Sequence, residues 1–208
     1  MEARDVLTPD GRSDGLTARD LLARWWRPAV VVLVAVAAVV WRLVREDLGA
    51  PPNLELTTAA TFLAALLLRH RLAALVPLVV VVASDLALGN TSILLFTWSA
   101  WAVIGLAALP VRRLGRWGTG LRRFGVAAGF GVAGSVWFFL WTNFGVWLMG
   151  RESYYAPGLD GLLASYVAGL PFLRTMLLGN LVLVPLAAAC AALVERLEHR
   201  VPVLVTAH

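Results

Sequence analysis

Ten side chains stand out against a strongly apolar background: Asn53, Glu55, Asp85, Asn90, Asn143, Trp147, Tyr154, Tyr155, Arg174 and Asn180. Carboxylate, amide, guanidinium, phenol and indole groups recognise small polar solutes through hydrogen bonds and stacking. They do not form a catalytic set. The three histidines, His70, His199 and His208, lie apart from them in the chain. No H-E-x-x-H, no G-x-S-x-G and no pair of mid-span aspartates is present, and these are the arrangements that hydrolytic chemistry needs. A single cysteine, Cys190, excludes a disulfide framework and a thiolate metal cluster. The residue types therefore predict binding, with no catalytic residue, no metal and no cofactor.

Two motif matches are set aside on context. Gly129-Phe130-Gly131-Val132-Ala133-Gly134 satisfies G-x-G-x-x-G, with Glu152 near the distance of a ribose-binding acid. No strand precedes it, and its glycines sit inside the longest apolar run. Gly125, Gly129 and Ala133 recur every four residues and predict a close-packing helix seam instead. Asn90-Thr91-Ser92 fits a glycosylation sequon but falls in a minimal loop between apolar runs. Cys190, among alanines, is expected to be a small packing residue.

The elements that must position these residues are membrane helices. Of 208 residues, 60% are hydrophobic and 15% charged, and the mean hydropathy is +0.77. A soluble domain is about 45–50% apolar and about 25% charged. The pI near 10.6 does not indicate nucleic acid, because the arginines punctuate apolar runs rather than cover a polar surface. Six stretches approach the roughly 20 residues that cross a bilayer core: 28–44, 54–68, 72–88, 92–109, 124–149 and 172–194. Residues 1–27 form an N-terminal segment, in which Thr17 and Asp20 resemble a capping box opening a short amphipathic helix. Residues 28–194 form the six-helix transmembrane domain and 195–208 a C-terminal tail. Arg69-His70-Arg71 leaves room only for a tight hairpin between spans two and three. Residues 158–169 read as a short interfacial or re-entrant helix before the last span.

Orientation follows from arginine placement. With the N-terminus inside, fourteen arginines fall on the inner side and four, Arg42, Arg45, Arg151 and Arg174, on the outer. The positive-inside rule then places both termini in the cytoplasm. Charged Arg45-Glu46-Asp47 stands where a small-residue cleavage site would follow a signal peptide, so the first span is read as retained.

On this topology the ten residues fall in the outer half of the bundle, from four different spans and the loops beside them. Trp98 and Trp101 on span four, and Trp137, Phe138, Phe139, Trp141 and Phe144 on span five, gather at the same level. Convergent polar groups with aromatic walls describe a small-molecule site. The structural alternative is that the aromatics form an interfacial belt, that Asp85 pairs with Arg174, and that Asn143 and Asn180 join helices.

The strings Pro51-Pro52-Asn53, Ser84-Asp85-Leu86 with Leu88-Gly89, Phe138-Phe139, Thr142-Asn143-Phe144-Gly145-Val146-Trp147, Tyr154-Tyr155, Leu170-Pro171-Phe172, Thr175 and Gly179-Asn180 carry a resemblance. They resemble an uncharacterised family of small bacterial multi-pass membrane proteins, over roughly residues 40–195, with TNFGVW as the most specific string. Members commonly read Gly-Asp where this chain has Gly179-Asn180, so a proton- or cation-linked acid is missing at that position. More remotely, the size and the six spans are similar to the substrate-capture (S) components of energy-coupling-factor transporters, without a diagnostic motif.

These readings predict a protein of the bacterial inner membrane that captures a small, vitamin-like solute from outside. Asp85, Asn143 and Arg174 would recognise it, Trp147 and Tyr154 would cover it, and Glu55 with Pro51-Pro52 would close over it. No nucleotide-binding motif is present, so a coupling subunit and ATPases would be partners, alongside membrane lipid and without nucleic acid. Two other readings stand beside this one: a non-transporting structural or accessory protein, and a lipid-active enzyme.

Overall fold

A computed structural model describes residues 18–68, 70–90, 92–115 and 120–200. Apolar runs in lipid must satisfy their own backbone hydrogen bonds, and among open segments only helices do so. The chain accordingly folds as α1 (Ala18–Val44), α2 (Thr57–Leu67), a 3-10 turn (Arg71–Leu75) leading into α3 (Val76–Leu88), α4 (Leu94–Gly115), α5 (Leu121–Gly150) and α6 (Leu159–Arg200). Among the described residues, five helical segments are long and apolar enough to cross a membrane, and a sixth helix, α2, is shorter. The protein is a polytopic helical membrane protein.

The short helix is the hub. Eleven residues of α2 rise about 16 Å, well under a hydrocarbon core of about 30 Å. Each of those residues is buried, and α2 packs against α1, α3, α4, α5 and α6. It never meets lipid, so it has no need to match lipid thickness. Its sequence, TTAATFLAALL, supplies the small residues that let helix backbones approach closely. Phe62 is its one large aromatic, 1% exposed and 5.4 Å from the Phe130 ring on α5.

Residues 159–169 do form helix, but as the first turns of α6, which continues to Arg200 through Pro171 and Pro185. Each proline lacks the amide that would bond the carbonyl four residues earlier, and a membrane helix tolerates this where packed neighbours cover the freed group. Forty-two residues of helix measure about 63 Å, so α6 tilts or extends beyond the bilayer core. The connection into the 3-10 turn is tight at His70, whose Nδ1 accepts from the Leu72 amide at 3.1 Å, and Arg69 lies outside the described residues. The capping box at Thr17 lies outside the described residues.

Small residues do make a seam, on a different face from the expected one. A Cβ on Gly125 or Gly129 would meet nothing. Gly131 instead lies against Asn180 of α6, where a Cβ would come within 2.9 Å of the backbone oxygen, and Gly145 lies under the Phe96 ring. Small residues occur on two faces of α5, and the four-residue row alone does not say which faces a helix. Cys190 is likewise exposed on the outside of α6 rather than packed.

The helices alternate in direction, so the α1–α2, α3–α4 and α5–α6 connections share one end. The buried polar residues Glu55, Thr57, Thr58, Ser84, Asp85, Thr142 and Ser165 lie toward it, whereas Thr61, Ser135 and Asn180 are buried deeper in the bundle. The main apolar core, including Leu63, Leu66, Leu67, Val111, Ala127, Val184, Ala188, Ala191 and Val194, fills the opposite half. There a forked ion pair, Arg123 to Glu195 at 2.8 and 3.2 Å, ties α5 to α6.

Candidate functional site

The site begins with a buried charge. Asp85, 2% exposed in the last turn of α3, would be costly there without partners. Its Oδ1 accepts from Arg42 Nη2 of α1 at 2.6 Å and from Asn90 Nδ2 at 3.2 Å, and its Oδ2 accepts from Trp98 Nε1 of α4 at 3.0 Å. Arg42 Nε donates to Ser84 Oγ at 2.6 Å, and Ser84 lies against the carbonyls of its own preceding turn. Gly89 ends α3 in the left-handed conformation at φ 69°, which turns Asn90 back over Asp85. Arg42, not Arg174, is therefore the partner of Asp85, and three helices are joined by one carboxylate.

Beside this junction lies a cavity of about 380 Å³ between α1, α3 and α4 on one side and α5 and α6 on the other. Five of the ten sequence-predicted residues line it: Asn53, Asp85, Asn90, Asn143 and Tyr155. Two of them have evident local causes. Asn53 adopts φ 60°, which asparagine tolerates better than most residues, and the turn it makes brings it to the cavity wall. Asn143 donates to the Phe139 carbonyl at 2.9 Å and rests on Gly169 of α6, where a Cβ would collide with the amide. Ser165 of α6 sits within hydrogen-bond reach of the Asn143 carbonyl at 3.2 Å.

The other five predicted residues lie elsewhere. Glu55 does not close over the cavity. It is 5% exposed and caps α2, accepting from the Thr58 amide at 2.8 Å and the Thr58 hydroxyl at 2.5 Å. Asn180 is 1% exposed inside the bundle, donating to Ser135 Oγ at 3.0 Å and approaching Thr58 Oγ1 at 3.3 Å, while its Oδ1 has no partner among the described residues. Trp147 donates to the Ala156 carbonyl at 3.1 Å and so fixes the α5–α6 loop. Tyr154 is 88% exposed on that loop. Arg174 points the other way. It is two residues past Phe172, about 200° around the helix, and lines an apolar groove instead.

The expected aromatic wall is mostly a helix seam. Trp137 and Trp141 stack at 5.6 Å and donate to the Ala100 carbonyl and to Ser99 Oγ on α4. Phe96 packs on Trp141 and Phe144. Of the aromatic residues, Phe138, Tyr155 and Phe172 line the cavity.

Sequence reasoning missed Arg42 and Arg45, which it took for boundary markers. Both line the cavity, together with Ser92, Thr97, Thr142 and Ser165. Arg42 carried one legible signal: Leu43 and Val44 follow it, so it stands inside the apolar run rather than beyond it. Arg45 Nη2 reaches Glu46 Oε1 at 3.5 Å, but the Glu46 side chain is 82% exposed, and such a solvated pair is weak. Arg45 Nε is buried without a partner. The charged groups lining the cavity are thus Arg42 and Asp85, which neutralise one another, and Arg45, which leaves a surplus positive charge. Among the described residues no group of three or more metal-ligating side chains occurs.

No curated protein and no solved structure matches the chain. A family model does match, over residues 22–204 and hence from the second turn of α1 past the end of α6. The chain belongs to the family of unknown function DUF6580.

Proposed function

We propose that this protein captures a small solute bearing a carboxylate or comparable anionic group in the cavity at the polar end of the bundle. The observation that carries the reading is the convergence of Asn53, Asp85, Asn90, Asn143 and Tyr155, from distant parts of the chain, on one cavity. Its volume of about 380 Å³ lies in the range of small-molecule sites, roughly 300–1,000 Å³. Hydroxyl and amide groups supply orientation, and the guanidinium of Arg45, which lines the cavity, supplies the charged donor to an anion. The Arg42–Asp85 pair holds three walls of the site in register.

The arginine distribution, fourteen against four, supports a reading in which this end faces outward from a bacterial cytoplasmic membrane. Capture from outside makes the protein the substrate-binding part of an uptake system, in the manner of an S component. Energy for release inward then comes from a coupling subunit and ATPases.

The test is thermal unfolding of the purified protein with matched acid and amide pairs, benzoate with benzamide and nicotinate with nicotinamide. Saturation stabilises the folded state by mass action, about 2.7 kcal/mol at one hundred times Kd. The acid of at least one pair raises the melting temperature and its amide does so less. Ala168→Phe, which fills the cavity from α6, abolishes the shift, whereas Arg151→Gln on the neighbouring loop keeps it. If no acid shifts the transition, or if Ala168→Phe leaves the shift intact, the polar cluster is a structural joint and the protein has an accessory role.

A further inference from the structure

The opposite face of α6 holds a second, larger hollow. It is a groove of about 1200 Å³, bounded by Pro51, Pro52 and Leu54 of the α1–α2 loop, by Val132 of α5, and by α6 from Leu170 to Leu181. Leu173, Leu177, Leu178 and Leu181 give it apolar walls, and Arg174 is its single charged residue. Arg174 is exposed and has no hydrogen-bonded or ionic partner among the described residues. An arginine on the apolar outside of a membrane helix is costly unless it reaches headgroups or finds an anion.

Depth and order match a phospholipid. Arg174 sits beside the Pro51-Pro52 loop, which joins α1 to α2 at the polar end of the bundle. Seven residues farther along α6, about 10 Å deeper, Leu181 continues the apolar wall. A phosphate at Arg174 therefore carries its acyl chain down the leucine face. The stiff proline pair keeps the groove mouth open, since proline fixes φ, and Leu54 seals it against Gly179, where a Cβ would come within 2.8 Å of the leucine methyl.

We propose that this groove is a binding site for one anionic phospholipid, held by its phosphate at Arg174 and by an acyl chain against Leu173, Leu177, Leu178 and Leu181. The site is independent of the solute cavity, which lies across α6. A neutral zwitterionic lipid offers the same chain, but its choline cation offsets the phosphate. The net charge of the headgroup is thus the discriminating feature.

The experiment is native mass spectrometry of the detergent-purified protein, titrated in parallel with phosphatidylglycerol and phosphatidylcholine of identical acyl chains. A juxtamembrane arginine contributes about 1 kcal/mol toward anionic lipid, so the first bound phosphatidylglycerol is preferred about fivefold. In Arg174→Gln the preference falls to about twofold or less, while Arg151→Gln keeps it. Leu178→Trp, which fills the groove without touching charge, weakens the first binding of both lipids. Equal affinity of the wild-type protein for the two lipids overturns the proposal, as does a preference that survives Arg174→Gln.

Discussion

Two hollows flank the same stretch of α6, and they treat arginine in opposite ways. In the polar cavity, Arg42 is built into a junction with Asp85 and Ser84, and its side chain is 15% exposed. In the apolar groove, Arg174 is exposed among leucines, with no partner among the described residues. The first arginine is part of the wall, and the second is available to something outside the fold. Identical residue types, one on α1 and one on α6, thus serve cohesion in one place and recognition in the other. The difference is whether a neighbouring helix brings an acid within reach.

The sharpest way to break this contrast is to remove the acid. Asp85→Ala leaves Arg42 without its counter-charge, and severing one partner of a buried pair costs about 3–5 kcal/mol. A large fall in melting temperature in detergent is expected. The double variant Arg42→Met with Asp85→Leu should lose much less than the sum of the single changes, because neither charge is then stranded. A strictly additive loss would show that the two residues do not act as a pair.

Blocking the cavity comes next. Ala168→Phe should remove the acid-dependent thermal shift while leaving the unliganded transition nearly in place, since Ala168 borders open space. Arg45→Gln removes a charged donor worth about 1.5–3 kcal/mol, so the apparent affinity for the acid should fall by about tenfold or more. Its amide counterpart should be little affected. The smallest effect belongs to the groove, where Arg174→Gln is expected to erase a lipid preference of about fivefold.

Much of this was legible in the chain. Apolar length fixed the helices, because a backbone in lipid has no other way to satisfy its hydrogen bonds. Asp85, Asn90 and Asn143 were visible as candidates because an amide or carboxylate within or beside an apolar run has few reasons to be there. Their depth was also readable, since helix rise is constant. Arg42 and Arg45 were hidden by position, for a span-ending arginine reads the same whether it marks topology or reaches inward. Glu55 was misplaced for a related reason: a helix-capping carboxylate and a loop carboxylate look alike until the helix start is known. The α2 hub was illegible as such. Lipid is as apolar as a protein core, so hydropathy does not separate a helix facing lipid from one surrounded by helices.

The chain alone determined that six helices form, five of them long enough to cross a membrane, and that polar groups collect toward one end of the bundle. Those properties depend on local apolarity and on the fixed rise of a helix. Only the tertiary structure decided that α2 is the axis, that Asp85 belongs to Arg42, and that Arg174 looks away from the cavity. Each of these depends on the rotation of one helix about its own axis relative to its neighbours. That rotation is set by how small and large side chains interlock across several helices at once, which no single stretch of sequence specifies.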